Sequence, residues 1–466
     1  MNILCAYNAN IDSISHVDGE ILSRMLEGQT GDVVHEILKN LPGTISSRAD
    51  FFAGLVTCMQ HGTGAEWMIS EIEVFDWLKG TFLADSLMRM GGNMGIMANV
   101  LSELGASGVI PNVASLSRLQ ASFFSKKAIF HPFKGKLYDS REISNVLPAE
   151  NKGPELIHFV FDFKKGETLT LHGEDITAPR ENRFIATYDP LNFSLCIDEH
   201  FRDYAHQHAS EMDGAIISGY HLLQEKEMQG HGNEVGFDEP GQQHYGYKEK
   251  LDHSLEQLKS WKNIREDLHI HVEFGHFSSG NIASYAFSIL SPVVDRIGMN
   301  EDELAMLARI NGMDAEPILA MEPVAIAEAA IELCSAYGLC RMLVHTREFV
   351  LSVSCKKDEE PEKIIEAMDF GLKCAAAFAC SGKLADRDTM LGIASAIRES
   401  EYGIAACSKL ARHMEKKWTC SQVCGLHMSF QVTIIPTRIC DEPVSTVGLG
   451  DTISAAIFLR ELELLP

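Results

Sequence analysis

Close to its C-terminal end the chain reads Ser445-Thr446-Val447-Gly448-Leu449-Gly450-Asp451-Thr452 and then stays apolar from Ile453 to Leu459. Two glycines let the backbone approach a ligand closely, and the helix that follows offers free N–H groups and the positive end of its dipole. Gly448 and Gly450 would thus shape an anion hole suited to a phosphoryl group in transit. Asp451 stands at its mouth, where a carboxylate would repel a resting phosphate. It makes sense there as a base that takes the proton of an attacking hydroxyl. An aspartate capping a surface helix after a glycine turn gives the same pattern, so these residues alone leave both readings open.

Other groups carry weaker signals. Asn8, Asn10 and Asp12 alternate beyond an apolar run, three polar groups at the strand edge where open α/β sheets bind ligands. Asn and Asp together can hold the vicinal hydroxyls of a sugar, or simply form a turn leaving a strand. Gly91-Gly92-Asn93-Met94-Gly95 opens a helix and brings backbone donors to a ligand, or serves close packing. Lys164, Lys165, Arg180, Asn182 and Arg183 gather basic and polar groups in an acidic chain, as a phosphorylated substrate would need and as a solvated face would also show. His269, His271 and Glu273 alternate on one strand face. Two histidines with a carboxylate would suit zinc or iron, and only Glu273 would suit magnesium; core histidines are the favoured reading. Asn300-Glu301-Asp302-Glu303 sets a cap and three acids at a helix start, which suits the dipole and can order waters around Mg²⁺.

The elements that must position these residues alternate between strand and helix, which predicts an α/β sheet with helices on its faces. Strands are predicted at Ile3–Tyr7, Gly108–Val113, Leu156–Phe163, Gly214–Ser218, Ile270–Phe274, Met342–His345 and Val432–Ile435. Helices are predicted at Met88–Leu104, Ala325–Tyr337, Pro361–Cys380, Tyr402–Trp418 and Thr452–Leu464. Gln229–Gln243, rich in Gly, His and acids, reads as a loop.

Composition narrows the function. The 40 basic and 65 acidic residues give a net charge of −25, which argues against nucleic-acid binding through clustered Lys and Arg. With 45% hydrophobic and 23% charged residues, the chain is of the ordinary globular kind. No apolar run approaches a membrane span, and Met1–Asn8 lacks a charged leader, so a cytoplasmic protein with no membrane partner is expected. Twelve scattered cysteines read as buried thiols of a reducing compartment, with the lone pair Cys420 and Cys424 a weak zinc signal.

Taken in order, Asn8–Asp12, Gly91–Asn99, Pro179–Ile185, His271–Phe274, Gly298–Leu304, Val344–Thr346 and the run from Pro436 to Ser454 resemble the ADP-dependent sugar kinases of archaea. That is the phosphofructokinase/glucokinase family of the ribokinase-like superfamily. The resemblance implies a ribokinase-like three-layer α/β sandwich with a smaller, discontinuous α+β lid. The large nucleotide-binding domain would take residues 1–12, 86–157 and 191–466, and the lid residues 13–85 and 158–190. It further implies ADP as donor, AMP as product, a sugar or sugar phosphate as acceptor, and Mg²⁺ or another divalent cation.

Carried over by motif, Asp451 resembles the catalytic base, and Glu273 and Glu303 (with Asp451) the groups around the hydrated metal. Asn10, Asp12, Gly92 and Asn93 resemble sugar contacts, Asn93 standing where a Gln is expected. Asn300, His345, Thr346, Pro436 and Val447 fall near the expected nucleotide pocket. Glu66 sits where glucose-using members carry a glutamate, whereas Lys164, Arg180, Asn182 and Arg183 resemble a sugar-phosphate clamp. Fructose 6-phosphate is the expected acceptor, with glucose second. Gly275-His276 departs from the Ala-Ser expected after the His-x-Glu-Phe element. An ATP-dependent ribokinase-type kinase and a non-catalytic sugar or nucleotide sensor remain as alternatives, because an anion hole does not report the donor's phosphate count.

Overall fold

The computed structural model describes residues 1–148, 153–225, 246–355, 360–414, 423–427, 430–445 and 447–465. The predicted loop Gln229–Gln243, Thr446 and Cys420 lie outside the described residues.

Among the described residues the larger sheet has nine strands, in the order 423–427, 430–436, 349–354, 341–345, 296–300, 269–273, 214–217, 2–6 and 108–111. The six from Arg341–His345 to Gly108–Pro111 run parallel; the other three pair antiparallel and extend one edge. A parallel sheet needs cover on both faces, and the side-chain alternation shows how it is obtained. Along Asn2–Ala6, Leu4 and Ala6 join a core with the helices Glu199–His208, Tyr247–Ile264, Gly280–Leu290 and Pro323–Tyr337. Ile3 and Cys5 point the other way, into a core with Asn93–Glu103, Pro361–Ser381 and Leu449–Leu464. The result is a three-layer sandwich, as the sequence predicts.

The second sheet has the strand order 44–45, 65–69, 182–188, 157–163, 10–16 and 87–91. Its core lies on one face, where Ile11, Ile157, Phe159, Phe161, Phe184 and Ala186 meet the helices Arg48–His61 and Ile72–Phe82. Because strand side chains alternate, the opposite face receives Asn10, Asp12, Glu66, His158, Arg183 and Thr187. This sheet therefore separates its packing residues from its chemical ones by face.

Two expectations need correction. Met88–Leu104 is not one helix: Leu87–Gly91 is a strand of the second sheet, and the helix is Asn93–Glu103. The break falls at Gly92, whose φ of +75° an L side chain rarely adopts and whose missing Cβ would lie 2.7 Å from the Asn8 carbonyl oxygen. Nor are all the cysteines thiols, because Cys380 and Cys440 form a disulfide. The predicted helix Tyr402–Trp418 is observed as Glu401–His413, and its predicted end at 415–418 lies outside the described residues.

Candidate active site

Four parallel strands of the large sheet place polar residues at or just beyond their C-terminal ends. Asn8 and Asn10 follow Asn2–Ala6, Glu273 ends His269–Glu273, Asn300 ends Arg296–Asn300 and His345 ends Arg341–His345. The register sets Glu273 beside Gly298 and Asn300 beside His345. The helix Leu449–Leu464 begins at this edge, with Gly448 in the left-handed conformation (φ +81°) as its cap. Gly450 lies so close to the His345 ring that a Cβ would stand 2.9 Å from its Cε1. Asp451, buried in the first turn, accepts a hydrogen bond from Asn93 Nδ2 at 2.8 Å. Asn93 Oδ1 in turn accepts one from Asn8 Nδ2 at 3.3 Å. Three segments far apart in sequence thus converge on one carboxylate, and Asp451 is no surface cap.

The charges here are buried and coupled. Glu273 Oε1 accepts from His345 Nε2 at 2.7 Å, and its Oε2 is 3.1 Å from His271 Nε2. Burial alone would raise the Glu273 pKa, but the charge of His345 and both hydrogen bonds outweigh it and hold the group well below the usual range. His345 mirrors this: burial would lower it, and the charges of Glu273, Glu303 and Glu301 carry it up to about 9. Glu303 caps its helix reciprocally with Asn300, and burial followed by repulsion from Glu273 pushes it up to about 7. Burial, then the charge of Glu273, lifts Asp451 to about 7 as well, against its hydrogen bond from Asn93. Excess negative charge among oxygen donors is what a hard dication relieves. Among the described residues, no three ligating side chains stand close enough to hold an ion directly. By its chemistry the oxygen-donor set suits a hard cation, and it does not fit the zinc or iron alternative at His269, His271 and Glu273, since His271 bonds Glu273 instead.

The second sheet brings its polar face to the same place. Asn10 Nδ2 donates to Asp12 Oδ1 at 2.9 Å, and Arg89 Nε lies 3.6 Å from the other oxygen. Burial raises the Asp12 pKa, and the charges of His158 and Arg89 oppose that. Gly92 faces Asn10: its Cβ would stand 2.8 Å from Asn10 Oδ1. Glu66 accepts from Thr187 Oγ1 at 2.6 Å and lies 3.8 Å from His158 Nδ1. His158 is anchored by fully buried Asp189 at 2.9 Å. Burial would lower the His158 pKa, yet the bond and charge of Asp189, with Glu66 and Asp12, carry it to about 9.

The basic cluster is split. Arg183 lies on the polar face, 3.8 Å from Asp162, and Lys164 is exposed. Arg180 Nε and Asn182 Nδ2 both donate to the Gly62 carbonyl instead, at 2.6 and 3.1 Å, bracing the loop that leads to Glu66. Thr346 closes a turn through Phe349, Pro436 pairs with Phe349 on the neighbouring strand, and Val447 precedes the Gly448 cap. Gly275, the departure from the expected Ala, has φ +76°, and a Cβ there would meet His221 Nδ1 at 2.4 Å. Sequence reasoning missed His158, Asp189, Arg89 and Arg296. For His158 a signal existed, since Ile157–Phe163 alternates apolar residues with His158 and Asp162.

Among the described residues, no helix is long and apolar enough to cross a membrane. Residues 1–460 match the family model described as the ADP-specific phosphofructokinase/glucokinase conserved region. The ADP-dependent glucose/glucosamine kinase of Pyrococcus furiosus is 29% identical over 99% of this chain and 94% of its own. The ADP-specific phosphofructokinase of the same organism is 29% identical over 100% of this chain and 98% of its own. A solved ADP-dependent kinase in complex with fructose 6-phosphate and ADPβS superposes with a TM-score of 0.76 at 27% identity, covering 99% of this chain and 94% of that one. The convergence of Asp451, the Gly448–Gly450 turn and the polar face of the second sheet therefore belongs to a kinase, and the chain is a member of the ADP-specific phosphofructokinase/glucokinase family.

Proposed function

We propose that the protein transfers the β-phosphoryl group of ADP to the 1-hydroxyl of fructose 6-phosphate, releasing AMP, with the 6-hydroxyl of glucose as second acceptor. The observation that carries this reading is the burial of Asp451 between the glycine turn and Asn93, beside the polar face that holds Asn10 and Asp12. The names of the relatives supply the donor and the two sugars.

In this reading Asn10, Asp12 and Gly92 hold sugar hydroxyls and place the acceptor oxygen against Asp451. The acceptor O–P bond forms as the bond from the β-phosphorus to the bridging oxygen breaks; AMP leaves with that oxygen, and the hydroxyl proton passes to the Asp451 carboxylate. The backbone N–H groups at Gly448–Gly450 offset charge on the transferring group. Asn300, His345, Thr346, Pro436 and Val447 border the nucleotide. Glu273, Glu303 and Asp451 would hold a hydrated divalent cation, Mg²⁺ by choice of donors, which would neutralise phosphate charge. The second sheet, whose strands fall within 10–91 and 157–188, acts with its helices as a lid that excludes water from the acceptor site. Arg183 and Lys164 meet the 6-phosphate, and Arg180 and Asn182 shape the loop carrying Glu66.

The test is phosphorylation of fructose 6-phosphate and of glucose in parallel, each with Mg-ADP and Mg-ATP. Turnover with ADP alone is expected, faster on fructose 6-phosphate. Turnover with ATP alone would move the protein to the ribokinase-type alternative, and none with either donor would favour the sensor.

A further inference from the structure

The active-site carboxylate Glu273 is the near end of a buried polar chain that leaves the site and runs down through the sheet. Glu273 Oε2 meets His271 Nε2 at 3.1 Å, and Arg296 Nε donates to His271 Nδ1 at 2.8 Å. Arg296 pairs through Nη1 with Glu461, and Arg341 Nη2 stands 2.9 Å from the same carboxylate. His271 and Arg296 are 0% and 4% exposed. An arginine never accepts a hydrogen bond, so its contact fixes His271 Nδ1 as an acceptor and leaves the ring proton on Nε2, pointing at Glu273. Glu461 lies on the helix that carries Asp451, ten residues further on, about 15 Å along its axis. The chain thus runs beside the helix of the base and ties the Glu461 end of that helix to the strand of Glu273.

We infer that Arg296 is a positioning residue for the transfer: it locks His271 as an Nε2–H donor and so holds Glu273 in the orientation that serves the nucleotide. Arg296 reaches Glu273 through His271, and its other partner Glu461 sits about 15 Å from Asp451 along the helix, while Asn10, Asp12 and Glu66 are held by partners of the second sheet. Its loss is therefore felt on the nucleotide side and not on the sugar side. A cavity of about 330 Å³ at the far end of the sheet borders Arg296, Arg341, Glu461 and Phe458, so a small cation can reach the place the guanidinium would vacate.

The proposal rests on the ADP-dependent transfer proposed above, which the wild-type assay tests separately. In Arg296→Met, which keeps most of the volume, KM for Mg-ADP rises roughly 10–100-fold, the range seen when the support of a metal-side ligand is lost. The sugar Kd, measured without nucleotide, stays within about twofold. In Arg296→Ala, methylguanidinium at millimolar concentration recovers part of the Mg-ADP affinity, whereas methylammonium does not. Equal losses for sugar and nucleotide, or no change in KM for Mg-ADP while the wild type turns over, would overturn the assignment. Should both variants fail to fold, ring ¹⁵N NMR of the wild-type chain decides without any activity. A neutral His271 with its proton on Nε2 between pH 6 and 8 supports the lock; an Nδ1 proton or an imidazolium there removes it.

Discussion

In the large sheet both faces are sealed by helices, so chemistry is confined to one edge; in the second sheet helices seal one face, and the other is open to a ligand. That difference sets how each region holds its functional groups. At the edge of the large sheet, Asp451, Glu273 and Glu303 are buried; distant segments fix Asp451 and Glu273, and the Asn300 cap fixes Glu303. On the second sheet Arg183 is only half-buried, Lys164 just beyond the strand Ile157–Phe163 is exposed, and the Glu66 side chain is 45% exposed. The first region is built for a single reaction geometry. The second can change its acceptor by exchanging surface side chains, because little packing depends on them. One family holding both sugar-kinase specificities on one frame is consistent with that division.

The sharpest way to break the comparison is to strike the sealed edge. Asp451→Asn keeps the shape and the contact with Asn93 but removes the base. It is expected to lower kcat by about 10²–10⁴ while sugar binding survives. Turnover close to wild type in a pure sample would remove Asp451 from this role.

A second test asks whether the open face has any buried anchor of its own, and His158 is the group to use. Its pKa is raised from the ordinary 6.5 to about 9, so its stabilisation is complete below pH 6.5 and is lost as pH rises through about 9. The difference in unfolding free energy between wild type and His158→Gln should therefore be constant below pH 6.5 and shrink toward pH 9, by at most about 3 kcal/mol. His345 contributes in the same window in both proteins, so the difference isolates His158. A pH-independent difference would show that Asp189 does not hold His158 charged.

How much of this was legible in the sequence follows the same division. Asp451, Gly448 and Gly450 could be read because a glycine turn before an apolar helix is a local pattern. Asn10 and Asp12 could be read because strand alternation is local too. Arg296 could not: it begins the strand Arg296–Asn300 and looks like any strand-end cation, and its meaning lies in a contact with His271, 25 residues earlier. The strand Leu87–Gly91 was hidden because its residues continue the apolar run of the following helix, and only the φ of Gly92 separates them. The basic cluster was legible as composition but not as geometry. Alternation sends Arg183 to the polar face, while Arg180 and Asn182 turn to Gly62.

That split orders the remaining predictions on the open face. Arg183→Ala removes a planar cation that can pair with phosphate, and is expected to raise KM for fructose 6-phosphate about tenfold, with glucose within about twofold. Equal effects on the two sugars would take Arg183 out of the clamp.

Lys164→Ala is the smallest of these changes. Lys164 is exposed, and an exposed ammonium is strongly hydrated and screened by salt, so only a fraction of its charge is felt by a bound phosphate. A twofold to threefold rise in KM for fructose 6-phosphate follows, and it should fade as ionic strength rises, whereas the Arg183 effect should largely persist. Glucose, which has no phosphate, should be indifferent to Lys164 at any salt concentration. A Lys164 effect as large as that of Arg183, and as resistant to salt, would mean that the lysine is drawn into a desolvated site when the sugar binds. The open face would then become sealed on closure, like the edge of the large sheet, and the contrast between the two regions would hold only for the ligand-free protein.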